Sequence, residues 1–190
     1  MKLGLFGGSF DPVHSGHFLM ARAACEELEL DRLVFLPAAQ SPLKAETQPI
    51  TPQARLRLLR LALAGCPGYE VDEQEIRRGG VSYTVDTLRD YRRRFLDAEL
   101  FYLIGQDHVP LLPKWREPEE LARLAVFVVI PRPGETPQPL PAPFRGRVLR
   151  GFQFGVSSSQ IRERVRRKLS IRGLVPDAVA EAIEREKLYL

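Results

Sequence analysis

The chain has 190 residues, 44% of them hydrophobic and 27% charged, with a formal net charge of +4. That is long enough to bury a core and too apolar for a disordered chain. No apolar run nears the roughly 20 residues that span a bilayer, no signal-peptide pattern opens the chain, and two cysteines make no disulfide framework.

Apolar strand patterns alternate along the chain with helical ones, which predicts an α/β fold built on an open parallel sheet with helices on both faces. A strand over 2–6 leads through a glycine-rich turn into a helix over 15–29, with Phe18, Ala21, Cys25 and Leu28 on its inner face. Residues 32–36 read as the second strand, and the proline-rich stretch 37–50 as a functional loop. Thr51-Pro52, a hydroxyl cap followed by proline, starts a helix striped by Leu56, Leu59 and Leu63 and stopped by Gly65 and Pro67. A short strand over 69–71, a helix from Thr84 to about Phe95 and a strand over 100–104 follow. The spacing then predicts a helix over 118–124, a strand over 125–130, a proline-dense excursion over 131–143 and a last strand over 147–149. Two helices, 158–169 and 176–188, finish the chain. We read 1–190 as one domain, a core over 1–155 with a helical appendage over 156–190.

Open α/β sheets bind ligands beyond the carboxyl ends of their strands, where strand order reverses. Four stretches that leave predicted strand ends carry chemistry. The first is Gly7-Gly8-Ser9-Phe10-Asp11-Pro12-Val13-His14-Ser15-Gly16-His17. A glycine turn between strand and helix gathers backbone N–H groups at a helix N-terminus, which suits phosphate. Two of the chain's three histidines stand there. A zinc reading fails for want of a third clustered ligand, so no metal site is expected. Gly105-Gln106-Asp107, leading to Trp115, offers a ribose acceptor at Asp107 and a flat apolar platform. Lys44 closes the second loop, and Arg132 follows the strand over 125–130. Away from the strand ends, Ser157-Ser158-Ser159-Gln160-Ile161-Arg162 sets hydroxyls and a guanidinium at a helix start. That arrangement makes an N-cap, an anion site or both. Ser82-Tyr83-Thr84 reads as a helix start with hydroxyl caps.

The form Gly-Gly-Ser-Phe-Asp-Pro-Val-His-x-Gly-His resembles the signature of the nucleotidyltransferases that share His-x-Gly-His. Within them it looks most like the bacterial nicotinate-nucleotide adenylyltransferases. Ser158-Ser159-x-Ile161-Arg162, Ser82-Tyr83-Thr84-x-Asp86-Thr87 and Gly105-x-Asp107 with Leu112 and Trp115 resemble further elements of that family. The resemblance implies a Rossmann-like fold and transfer of adenylyl from ATP to nicotinate mononucleotide, as a step of NAD synthesis in the cytoplasm. It implies His14, His17, Lys44 and Arg162 as the catalytic set. Gly7, Gly8, Ser9, Phe10, Gly16, Gly105, Asp107, Arg132, Ser158 and Ser159 would complete the ATP site. Ser9, Phe10, Lys44, Ser82, Tyr83, Thr84 and Trp115 would take the acceptor, and Mg²⁺ would arrive on the ATP phosphates.

The chain departs from the family at Leu43, where a histidine is common, and at Arg116, where an aromatic is common. Transfer to nicotinamide mononucleotide or phosphopantetheine, cytidylyl transfer, and noncatalytic nucleotide or RNA binding are the rival readings. No nucleic-acid or membrane partner is expected, and the oligomeric state, a homodimer included, is left open.

Overall fold

Residues 2–130 lay down five of six strands, and every pairing among the six is parallel. They are β1 (Lys2–Gly8), β2 (Arg32–Pro37), β3 (Tyr69–Val71), β4 (Glu99–Gly105), β5 (Val126–Ile130) and β6 (Gly146–Val148), in the spatial order β3-β2-β1-β4-β5-β6. The computed structural model describes residues 1–42, 50–131, 134, 136, 138–152 and 154–190. Lys44 and Arg132, both expected in the site, lie outside the described residues. No helix among the described residues is long and apolar enough to cross a membrane.

Alternation along the strands sends side chains to two cores, one on each face. Phe6, Leu33, Phe35, Leu103 and Val128 face α1 (Ser15–Leu28), α2 (Pro52–Leu63), α6 (Ser158–Arg166) and α7 (Asp177–Arg185). Leu3, Leu5, Leu36, Tyr102 and Phe127 face α4 (Thr84–Arg94), α5 (Pro118–Leu124) and a 3₁₀ helix over Gln106–Lys114. The two carboxyl-terminal helices thus share a core with α1 and α2, through Ile161, Val179 and Ile183.

Thr51 caps α2 as its sequence implies, Oγ1 accepting from the Ala54 amide at 3.2 Å. Two elements were not expected. The five residues of α3 (Gln74–Arg78) are too few to show a helical period. Pro110 and Pro113 mark 106–114 as loop, yet short 3₁₀ turns carry them. Helices α6 and α7 stop sooner than their polar faces suggest, and Lys168 and Lys187 beyond them take left-handed backbone, at φ 56° and 53°.

Candidate active site

Strand order reverses between β1 and β4, and a cavity of about 820 Å³ opens at their carboxyl ends. Its floor is the turn after β1. Gly7, Gly8, Ser9, Phe10, His14 and His17 all line it. A Cβ at Gly7 would run into the Tyr102 hydroxyl, and one at Gly8 would press on the Phe10 ring at 3.1 Å. The glycines are there because neighbouring side chains leave no room. Gly16 stands behind the turn rather than on the cavity wall, with a Cβ at that position 3.0 Å from His14 Nδ1.

His14 is buried and precedes α1 as its N-cap residue. Burial lowers its imidazole to about 4, so it is neutral at pH 7. Its backbone N–H donates to His17 Nδ1 at 3.1 Å, and the two rings stack with centroids 3.7 Å apart. With Nδ1 accepting, the proton of the neutral His17 ring sits on Nε2. His17 also packs against Phe10 and Phe6, with ring centroids 5.0 and 5.9 Å away. It is a packed residue rather than a loose loop histidine.

The start of α6 forms the wall through Ser157, Ser158, Ser159 and Arg162. Ser157 is the cap, its Oγ accepting from the Gln160 amide at 3.3 Å. The Ser158 hydroxyl donates to the Pro12 carbonyl at 2.9 Å. Arg162 donates to the Asp11 carbonyl at 2.7 Å and to Ser159 Oγ at 3.1 Å. Capping, clamping of the histidine turn and an anion-facing helix end coexist here. Arg162 uses two of its five N–H donors in these bonds, and its guanidinium is already oriented.

Across the switch point, Ser82, Tyr83, Thr84, Gly105, Asp107 and Trp115 line the other half. The hydroxyl caps expected at 82–84 are not formed. The N-cap residue of α4 is Tyr83, with no side-chain cap bond, and Thr84 Oγ1 lies 3.3 Å from the Tyr102 hydroxyl. Ser82 is buried, and its Oγ accepts from the Ala39 amide at 3.0 Å and bonds Glu75. The Thr87 hydroxyl donates to Glu75 at 2.6 Å. Burial nonetheless raises the Glu75 carboxyl, against the pull of these hydroxyls and of Arg78. Ser82 therefore shapes this half of the cavity while its hydroxyl is engaged within the protein.

Trp115 divides itself between core and cavity. It meets Tyr102, His108 and Phe127 edge-on, and its buried Nε1 has no hydrogen-bond partner among the described residues. Arg116, where the family resemblance calls for an aromatic, lays its guanidinium 4.7 Å over the Tyr83 ring. Asp107 begins the 3₁₀ helix at the rim, its side chain about half exposed. Among the described residues no group of three or more His, Cys, Asp or Glu could hold a metal ion.

Sequence reasoning assigned no role to Asp11, which lines the cavity, or to Arg55 and Tyr189 behind it. Arg55 was legible in principle, because it shares the buried face of α2 with Leu58, Leu59 and Ala62. A charge on an apolar stripe needs a partner. Tyr189 gave no signal, since only the fold returns the end of the chain to the turn, where its hydroxyl donates to Asp11 Oδ1 at 2.8 Å.

Residues 5–164 match the cytidylyltransferase-like family. A protein of Gemmatimonas aurantiaca named "Probable nicotinate-nucleotide adenylyltransferase" is 47% identical over 196 residues, covering all of this chain and 92% of that one. A Thermus thermophilus protein of the same name is 43% identical, with both chains covered in full. Among solved structures, the Plasmodium falciparum nicotinic acid mononucleotide adenylyltransferase complexed with NaAD has the same fold. Its TM-score is 0.78 at 16% identity, over 99% of this chain and 97% of that one. With this architecture and full-length identity of that order, the chain belongs to the nicotinate-nucleotide adenylyltransferases of the cytidylyltransferase-like family.

Proposed function

We propose that this enzyme transfers the adenylyl group of ATP to nicotinate mononucleotide, forming nicotinate adenine dinucleotide and pyrophosphate. One observation carries the reading. A single cavity at the switch point is lined on one side by His14, His17 and the start of α6, and on the other by Tyr83, Thr84 and Trp115. Two nucleotides joined end to end need such a two-sided site.

An oxygen of the acceptor phosphate, ionised at neutral pH, attacks the α-phosphorus of ATP. The bond from that phosphorus to the oxygen bridging to the β-phosphate breaks, and pyrophosphate leaves with the electron pair. No proton has to move, so the protein's work is alignment and stabilisation of charge. His17 Nε2–H donates to the α-phosphate region. Neutral His14 holds the triphosphate without adding a cation against the His17 ring, and Arg162 supplies the charge from the opposite wall. Lys44 joins them from the second loop. Gly7, Gly8, Ser9 and Phe10 form the floor, and Ser158 and Ser159 fix the wall. Asp107 and Gly105 meet the ribose, and Arg132 meets the adenosine part. Mg²⁺ comes with the triphosphate and neutralises part of its charge. Trp115, Tyr83 and Thr84 receive the pyridine ring and its carboxylate. A cytoplasmic setting, with ATP and Mg²⁺ at hand, suits this chemistry.

Release of pyrophosphate from ATP and Mg²⁺ with each candidate acceptor tests the proposal. Nicotinate mononucleotide should exceed nicotinamide mononucleotide in kcat/KM by about a hundredfold or more, the scale for a charge meeting placed donors. Equal values, or faster turnover with phosphopantetheine, would reassign the acceptor.

A further inference from the structure

Arg55 is the largest wholly buried side chain among the described residues, and it lies outside the cavity wall. Its Nη1 donates to the Ser9 carbonyl at 2.5 Å, and its Nη2 to the carbonyls of Ala38 and Ala39 at 2.7 and 2.9 Å. Ser9 belongs to the turn after β1, and Ala38 and Ala39 to the segment after β2. One planar guanidinium therefore joins the ends of two neighbouring strands. The connection runs on from there. The Ala39 amide donates to Ser82 Oγ, and the Ser82 amide donates to the Gln40 carbonyl at 2.9 Å. The start of the acceptor segment thus hangs on the strand end that Arg55 holds. On the other side the guanidinium attracts Asp11, which accepts from the Tyr189 hydroxyl and whose own carbonyl accepts from Arg162.

Building on the transferase reading, we infer that Arg55 is a positioning residue, setting the distance between the ATP-facing turn and the acceptor-facing segment. Direct displacement at phosphorus depends on the approach of two separately bound nucleotides. A displacement of about 1 Å between their supports costs on the order of a hundredfold in rate. Apolar replacements of buried ionic groups are often tolerated in proteins, so burial of an ion is weak evidence of a stabilising role alone. A planar fork with donors in fixed directions gives what an apolar side chain cannot, a set separation between three carbonyls.

Arg55→Lys keeps the buried positive charge facing Asp11 but replaces the fork with a single ammonium. Assayed at least 15 °C below its own melting temperature, it should lose about tenfold or more in kcat, with KM rising for both nucleotides. Calorimetric titration with ATP alone should also show weakened binding, and that arm holds whatever the acceptor proves to be. Wild-type kinetics and ATP affinity in folded Arg55→Lys would overturn the inference. Should that variant not fold, Ser82→Ala decides, because it cuts the link from the Ala39 amide to the acceptor segment, together with the bond to Glu75, and leaves the Arg55 fork whole. Its KM for nicotinate mononucleotide should rise severalfold while ATP affinity stays unchanged. An unchanged acceptor KM would count against the connection. A wild-type enzyme that ignores nicotinate mononucleotide would instead refute the function, which separates the two failures.

Discussion

His14 and His17 show how far single residues can be read from sequence. Their type, spacing and place at a strand end were visible, and these led to the expectation of a phosphate there. Their division of labour was not, because it depends on burial. His14 is buried and neutral at the cavity floor, while the His17 ring accepts at Nδ1 and carries its proton on Nε2. This gives a pH prediction of definite sign. The His14 imidazole titrates near 6.5 when unfolded and at about 4 in the folded chain. Between those values the unfolded state binds the extra proton, so stability rises with pH through this window. The contribution is complete above about pH 6.5 and lost by pH 4, with a limit of about 3 kcal/mol. Melting temperatures of wild type and His14→Asn should therefore converge as pH falls from 7 to 4.5. Parallel curves would mean that the buried imidazole is not the linked group. His17→Ala should lower kcat about a hundredfold, the scale for a lost oxyanion donor. It should also lower the melting temperature modestly, since the ring packs against Phe6 and Phe10. Near-normal turnover would return His17 to a packing role.

At the scale of elements, periodicity and caps located the strands and the long helices, because burial of one face sets both patterns. What stayed hidden were elements without a period: α3, five residues long, and the proline-bearing 3₁₀ helix that carries Asp107 to the rim. The α6 start shows a subtler limit. Its hydroxyls announced a cap or an anion site, and the sequence could not show that Ser158 also fastens the helix to the histidine turn through the Pro12 carbonyl. Ser158→Ala removes that fastening. It should lower the melting temperature by about 2–4 °C, the equivalent of one hydrogen bond of about 1 kcal/mol in a chain of this size. ATP affinity should weaken alongside. Weaker ATP binding with an unmoved melting temperature would mean that Ser158 serves the phosphates alone.

Taken whole, the molecule is a sheet whose reversal between β1 and β4 creates one cavity with two unlike halves. The alternation of strands and helices made such a cleft legible. Which loops face each other across it was settled only by strand order, together with the return of α6 and the chain end to the first turn. That arrangement predicts separable ligand effects. On the proposed function the two halves take different nucleotides, and Trp115, braced edge-on by Tyr102 and Phe127, is assigned to the acceptor half. Trp115→Ala should raise the KM for nicotinate mononucleotide and leave ATP binding nearly unchanged, since the stacking area lost is on the acceptor side. Arg162 belongs to the ATP half and clamps the Asp11 carbonyl as well. Arg162→Ala should therefore weaken ATP by about 1.5–3 kcal/mol and lower the melting temperature too, one contact being charge-assisted and the other holding the turn. Calorimetric titration of each variant with each nucleotide separately makes the comparison. If Trp115→Ala weakens both ligands equally, the indole belongs to the core alone. The acceptor half would then have to be sought elsewhere along the cavity.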